Sequence, residues 1–289
     1  MKNDFFTIDD DIYPESLKNI CEPPKKIYYK GNIDLLKNER MISVVGTRRN
    51  SSYGKLCCEI LVKKLIKADV VLVSGFAMGI DSICHRTCIE NNGKTIAVVA
   101  AGLDVIYPAT NINLWKKIEE NGLILSEYEY GTKPFRVNFP KRNRIIAGLS
   151  RATVVIESKE KGGSLITANM ALEEGRDIFA IPGDIFSENA KGCNSLIRDS
   201  KAKLLISADE ILEEYAWLTE YKLNVFEEDF EKFSKIQKNI LNFLSSEKTL
   251  DCLVQELNLD LSTILTEIMD LEIKGVIKGL AGGKYIKLL

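Results

Sequence analysis

Short runs of apolar, largely β-branched residues recur along this chain, separated by helical stretches, and no other feature restricts the fold as strongly. Ile42–Val45, Val70–Val73, Thr95–Ala100, Leu123–Ser126, Ala152–Ile156, Asp177–Ile181 and Lys203–Ile206 read as strands. Helical periodicity marks Ser52–Lys67 and a stretch opening after Gly79 toward Glu90. It returns near Asn113–Glu120, Lys141–Leu149, Ser164–Glu174 and Ser195–Asp199, with Ala208–Tyr215 as a closing helix. A strand that is apolar along its whole length offers no face to water, so it belongs in a parallel sheet covered on both sides by crossover helices. Right-handed crossovers make such a sheet doubly wound. The fold class expected is α/β, with a doubly wound, mostly parallel Rossmann-like sheet. Ligands of such sheets bind outside the carboxyl ends of the strands, where loops meet helix N-termini.

The sheet region spans residues 41–216 and is preceded by a short N-terminal extension, residues 1–40, containing Pro14, Pro23 and Pro24. An acidic linker, residues 217–230, follows, and residues 231–289 read as a small winged-helix-like domain. There Phe233–Leu244, Leu250–Leu257 and Ser262–Ile273 have amphipathic helical patterns, and Val276–Lys278 and Tyr285–Leu288 form a hairpin around Gly282-Gly283. Its third helix has few basic residues, so a protein-binding or packing role stands beside DNA reading.

Seven cysteines, an odd number scattered over 289 residues, do not suggest a disulfide framework. Cys84-His85-x-x-Cys88 lacks a distant second pair of ligands, so its thiols read as small packed hydrophobes and no metal is expected. No apolar run is long enough to span a membrane, and the acidic start MKNDFFTIDDDIYPES has no signal-peptide core. A cytoplasmic protein without a membrane partner is expected. The net charge of −2 argues against nucleic acid only as a sum. Lys133, Arg136, Lys141, Arg142 and Arg144 lie in one stretch free of acids, whereas Asp209–Glu231 is dense in them. The local field decides what binds.

Four motifs fall at the carboxyl edge of the expected sheet. Gly46-Thr47-Arg48-Arg49 follows the first strand: the glycine allows a tight turn, the helix N-terminus beyond it attracts an anion, and the arginines are phosphate forks. After the second strand, the small residues of Ser74-Gly75-Phe76-Ala77-Met78-Gly79 let backbone N–H groups approach a phosphate. They do not match the dinucleotide fingerprint, and no ribose-binding acid follows at the usual place. Pro140-Lys141-Arg142-Asn143-Arg144 opens a helix with cations in its first turn, where a bound polyanion would offset the unfavourable dipole. Phe135 and Phe139 interleave with these charges and could stack on bases. Gly162-Gly163-Ser164-Leu165-Ile166-Thr167 opens another helix, with N–H groups and two hydroxyls suited to phosphate, although Ser164 could equally be a plain N-cap. The candidate nucleic-acid-binding residues are therefore Arg48, Arg49, Ser74, Gly75, Phe76, Ala77, Gly79, Lys141, Arg142, Asn143, Arg144, Gly163, Ser164 and Thr167. No catalytic constellation, P-loop or cofactor site emerges. His85 is the sole histidine, and Glu173 and Glu174 are adjacent on a helix and point apart.

In these residues the chain resembles the DNA-processing protein A family, DprA or Smf. The resemblance rests on YPESL at Tyr13–Leu17, GTRR, SGFAMGID with His85 after it, and GLDVIYP at Gly102–Pro108. It continues through FPKRNRIIAGLS at Phe139–Ser150, GGSLITA at Gly162–Ala168, IPG at Ile181–Gly183 and Gly192–Ile197. It covers roughly Ile8 to Tyr215. The resemblance implies a non-catalytic, homodimeric single-stranded-DNA-binding protein of natural transformation, which protects incoming strands and helps load the RecA recombinase. Carried over by motif, the contacts would involve Arg48, the SGFAMG loop and the Arg142–Arg144 turn. Many members have a larger helical N-terminal domain, which the short extension replaces here. Two other readings stay open. One is a nucleotide-hydrolysing Rossmann enzyme, although Leu165 stands where its third motif glycine would fall and the catalytic glutamate is missing. The other makes the winged helix the main DNA reader.

Overall fold

Every apolar run read from the sequence becomes a strand, and among the described residues these strands form the parallel part of a nine-stranded sheet. The structure is a computed structural model that describes residues 4–217, 233–244, 246–273, 276–280 and 282–287. Its strands are β1 (Phe5–Thr7), β2 (Lys26–Gly31), β3 (Met41–Val45), β4 (Val71–Ser74), β5 (Thr95–Val99), β6 (Leu123–Ser126), β7 (Ala152–Val155), β8 (Asp177–Ala180) and β9 (Lys203–Leu204). They lie in the order β1-β2-β6-β5-β4-β3-β7-β8-β9. The pairs from β6 across to β9 are all parallel, whereas β2 joins β6 and β1 joins β2 antiparallel.

The N-terminal extension is thus part of the sheet and supplies its first two strands. Lys26 and Lys30 interrupt the apolar residues of β2, so this strand lacks the all-apolar signature of the buried parallel ones. Gly31 ends β2 at φ +97°, and a Cβ there would lie 2.4 Å from the Gly122 carbonyl oxygen.

The helices of this unit are α1 (Glu15–Lys18), α2 (Ser52–Lys67), α3 (Ile80–Glu90), α4 (Ile112–Asn121), α5 (Asn138–Leu149), α6 (Gly163–Glu173), α7 (Lys191–Arg198) and α8 (Ala208–Glu214). On one face of the sheet α2 packs on α3 and α8, and α3 on α4; on the other, α5 packs on α6 and α1. The strands feed both layers by alternation. Ile96 and Val98 join Ile145, Ile146 and Ala168 on the α5 and α6 side, while Ala97 and Val99 join Trp115 and Ile118 of α4. Each fully buried aliphatic side chain of this kind stabilises the fold by roughly 1.5–3 kcal/mol. Both faces being covered is the reason these strands could be read as apolar runs.

The chain divides into two compact units, Met1–Glu214 and Tyr215–Leu289. The second contains α9 (Lys235–Phe243), α10 (Leu250–Leu257) and α11 (Leu261–Ile273), with antiparallel strands in the order β10 (Lys248–Thr249), β12 (Lys284–Lys287), β11 (Ile277–Leu280). Ile240, Leu241, Leu253, Ile264, Ile268 and Leu271 form its core. Ser234 and Gln237 cap α9 reciprocally, and Gly282 and Gly283 both turn with positive φ between β11 and β12. β10 is too short to be read from sequence. The acidic linker lies outside the described residues except at Trp217.

Candidate nucleic-acid interface

Strand order reverses at β3, which has β4 on one side and β7 on the other. Loops leaving neighbouring strands on opposite sides of such a point diverge and leave a crevice. A cleft of about 910 Å³ opens there. Thr47, Arg48 and Arg49 line it after β3, and Ala77 and Asp81 after β4. Arg136, Phe139, Arg142 and Asn143 come from α5 and the segment before it, and Lys159, Lys161, Gly163, Ser164 and Thr167 from the turn between β7 and α6.

The cleft is strongly cationic. Arg48, Arg49, Arg136, Lys159 and Lys161 all line it and are exposed. The Arg48 guanidinium lies 5.3 Å from the centre of the Phe139 ring, which in turn meets Tyr107 edge-on at 5.8 Å. That contact restrains Arg48 over an aromatic floor. Among the described residues of the lining, Asp81 is the single carboxylate.

Four helix N-termini, of α2, α3, α5 and α6, approach this edge, and they are not equivalent. At α2 the position is already filled. The Glu157 carboxylate accepts from the Ser51 N–H at 2.9 Å and from the Ser51 hydroxyl at 2.6 Å. The helix start expected to attract an anion after Gly46 therefore holds one of the protein's own. At α3 the first turn carries Asp81, whose carboxylate accepts from the Ala77 N–H, two residues before the N-cap, at 3.3 Å. Burial pushes its carboxyl up to about 6, against the opposing pull of the Arg142 charge. At α6 the position is open: Gly162 is its N-cap without a side-chain bond, and its first turn holds no acid. α5 likewise starts at Val137 with no side-chain cap and no acid, but Pro140 removes one of its first-turn amides. A Cβ on Gly163 would meet no protein atom within 4 Å, and its φ is not left-handed, so no packing or backbone demand requires this glycine. Ser164 is not the N-cap; its hydroxyl donates to the Ser158 hydroxyl at 2.9 Å.

The structure separates the candidate residues into those that reach the cleft and those that build it. Arg48, Arg49, Ala77, Asn143 and Gly163 line it as expected, and Ser164 and Thr167 lie in its wall but are buried, 7 % and 2 % exposed. Ser74 does not: it is fully buried, and its hydroxyl donates to the Val44 carbonyl at 2.6 Å. Phe76 is core, packed edge-on against Trp115 at 5.4 Å, and cannot stack on a base. Gly75 is needed for packing, since a Cβ would lie 2.7 Å from an Asp81 oxygen and 2.8 Å from an Arg142 nitrogen. Gly79 turns at φ +82°, with a Cβ position 2.3 Å from the Thr47 carbonyl oxygen. Arg142 reaches the cleft wall but is only 5 % exposed. Its guanidinium donates to the carbonyls of Gly75 at 2.5 Å and of Val98, so it braces the ends of β4 and β5 instead of serving as a free phosphate fork. Arg144 is drawn away by Glu127 at 2.6 Å, and the exposed Lys141 is not among the lining side chains. The helix also begins at Asn138, a turn earlier than expected, so these cations lie beyond its first residues.

The lone histidine is structural. Burial pushes His85 down to about 3, so it is neutral at physiological pH, and its Nδ1 lies 2.7 Å from the Thr95 hydroxyl. That hydroxyl donates to the Leu72 carbonyl at 2.8 Å, leaving His85 Nδ1–H as donor. Burial also raises the thiols of Cys84 and Cys88, and no metal-binding cluster occurs among the described residues. Arg136, Lys159, Lys161 and Tyr107 join the site without having been singled out for it. Lys159 and Lys161 flank Glu160, which hides them from a reading of local charge density.

The chain is similar to known proteins in sequence and in fold. The sequence model described as DNA recombination-mediator protein A matches residues 4–216. DNA processing protein DprA of Streptococcus pneumoniae is 47% identical over 210 residues, covering 73% of each chain. The X-ray structure of DNA processing protein A from Streptococcus pneumoniae superposes with a TM-score of 0.71 at 46% identity, covering 74% of this chain and 75% of that one. A structure of DNA processing protein A from Helicobacter pylori, concerned with its single-stranded DNA binding mode, gives 0.67 at 29% identity, covering 74% and 97%.

Proposed function

The chain belongs to the DNA recombination-mediator protein A family, and on that premise we propose that it binds single-stranded DNA in the cleft beside β3. The observation that carries this is the pairing of the open helix N-terminus at α6 with five exposed cations of the same cleft: Arg48, Arg49, Arg136, Lys159 and Lys161. A phosphate seated on the Gly163 and Ser164 amides would meet unpaired N–H groups, and the cations would follow the backbone on either side. Phe139 and Tyr107 offer ring surface beside Arg48 for an unstacked base. The single-stranded DNA binding mode studied in the Helicobacter pylori relative supports the same choice of ligand.

The function is binding without a chemical step. In support, Asp81 is tied to Ala77 and set against Arg142, and His85 is buried and neutral. The protein acts in the cytoplasm as a homodimer, protects incoming strands and helps load RecA during natural transformation. The family's description as recombination mediators supports that role. Among the described residues, no helix is long and apolar enough to cross a membrane.

Fluorescence anisotropy with labelled oligothymidine, and with a duplex of equal length, tests the proposal. Single strands should bind more tightly, with affinity falling steeply as salt rises. Equal affinity for the duplex, or no response to salt, would rule it out. Release of base from nucleoside monophosphates would rule out the non-catalytic part.

A further inference from the structure

A single residue just past β7 holds both ends of the loop that carries the two arginines. The Glu157 carbonyl oxygen accepts from the Thr47 N–H at 2.8 Å. Its carboxylate takes the Ser51 N–H at 2.9 Å and the Ser51 hydroxyl at 2.6 Å. Thr47 and Ser51 bracket Arg48, Arg49 and Asn50, so the segment is anchored at each end to one side chain and its own backbone. Asn189 adds a hold in the middle, donating to the Arg49 carbonyl at 2.9 Å.

The surroundings are built for this carboxylate. Glu157 is only 4 % exposed and makes no ion pair among the described residues. A buried carboxylate without a cation is costly unless hydrogen bonds and a dipole compensate it. The start of α2 does so, because Ser51 is its N-cap and its first turn contains no acid. Gly54 makes the room: a Cβ there would lie 2.3 Å from a Glu157 carboxylate oxygen.

We propose that Glu157 is a positioning residue of the strand-binding cleft, fixing the Thr47–Ser51 loop so that Arg48 and Arg49 face the DNA backbone. It rests on the proposed binding of single-stranded DNA and adds a residue with no contact to the ligand. Its sign is opposite to simple electrostatics. Removing an acid beside a polyanion site should tighten binding, whereas releasing the arginine loop should weaken it.

The test uses the full chain and labelled oligothymidine, with thermal melting as the control for folding. Glu157→Gln is expected to weaken binding about tenfold, the scale of one charge-assisted hydrogen bond. Ser51→Ala, a milder lesion, should weaken binding in the same direction, and Ser51→Thr, which keeps the hydroxyl, should restore it. In an Arg48→Ala/Arg49→Ala background Glu157→Gln should change affinity no further, because its effect passes through those side chains. Unchanged or tighter binding by both Glu157→Gln and Ser51→Ala would overturn the proposal. So would an equal loss from Glu157→Gln with and without the arginines, which marks a merely structural role. A wild-type protein that binds no single-stranded DNA would overturn the cleft reading and this proposal with it.

Discussion

Titrating salt against single-stranded DNA affinity tests which cations meet phosphate. Each phosphate neutralised on a single strand contributes about −0.7 to the slope of log affinity against log salt. Arg48, Arg49, Arg136, Lys159 and Lys161 are the exposed cations of the cleft, so a slope near −3.5 is expected if all engage. Affinity should then fall roughly a hundredfold between 50 and 200 mM salt, measured by anisotropy. The total alone does not discriminate, because the sequence offered a different set of the same size: Arg48, Arg49, Lys141, Arg142 and Arg144. Single substitutions do. Lys161→Ala should lower the slope by about 0.7. Arg144→Ala should leave it unchanged, since that guanidinium is held 2.6 Å from Glu127. A slope lost on Arg144→Ala and kept on Lys161→Ala would refute the assignment of the cleft.

Arg142→Ala should act on folding more than on binding: it strips the Gly75 and Val98 carbonyls of their donor and Asp81 of its countercharge, at a cost of about 3–5 kcal/mol, read by denaturant melts. Gly163→Ala should fold normally, having open space for its Cβ, yet bind single strands about tenfold more weakly by crowding the α6 amides. Asp81 ionises at about 6 in the fold against 3.8 as the ordinary value, so the native state holds its proton more tightly than the unfolded chain. Its contribution to stability is therefore greatest below pH 4 and is lost, by ~3 kcal/mol, as pH rises through 6; Asp81→Asn should flatten that part of the stability–pH curve. Truncation after residue 217 should change affinity for single strands by no more than roughly twofold, because α11 carries Glu267, Asp270 and Glu272 and no lysine or arginine.

What could be read from the sequence follows what water and packing impose on it. β3 to β8 are buried on both faces and so betray themselves as apolar runs. β2 is half-polar, and its lysines disguise it. The start of α5 was obscured by Pro140, which reads as a first helical residue but occupies the third, where a missing N–H costs nothing. Arg48 and Arg49 follow a strand directly, and their place at the edge is fixed by topology. Arg142 could not be placed this way. Its burial depends on Asp81 and on two carbonyls from distant strands, and a charge in a basic run reads as solvated. Glu157 carries no local signal at all, since its partners Thr47 and Ser51 lie more than a hundred positions earlier.

The antiparallel pairing of β2 with β6 also sets an order of events during synthesis. At about 5–20 residues per second, β2 leaves the ribosome roughly 5–20 s before β6 does. In that interval β2 has only β1 to pair with, and a two-stranded ribbon is barely stable alone. Its other edge, the one that β6 will cover, stands open to any neighbouring chain. Lys26, resting 4.0 Å from the centre of the Phe5 ring, and Lys30 near Glu119 contribute little to the finished fold. Charges on an open strand disfavour pairing with another chain, and Lys26 and Lys30 place two on a strand whose partner is made later.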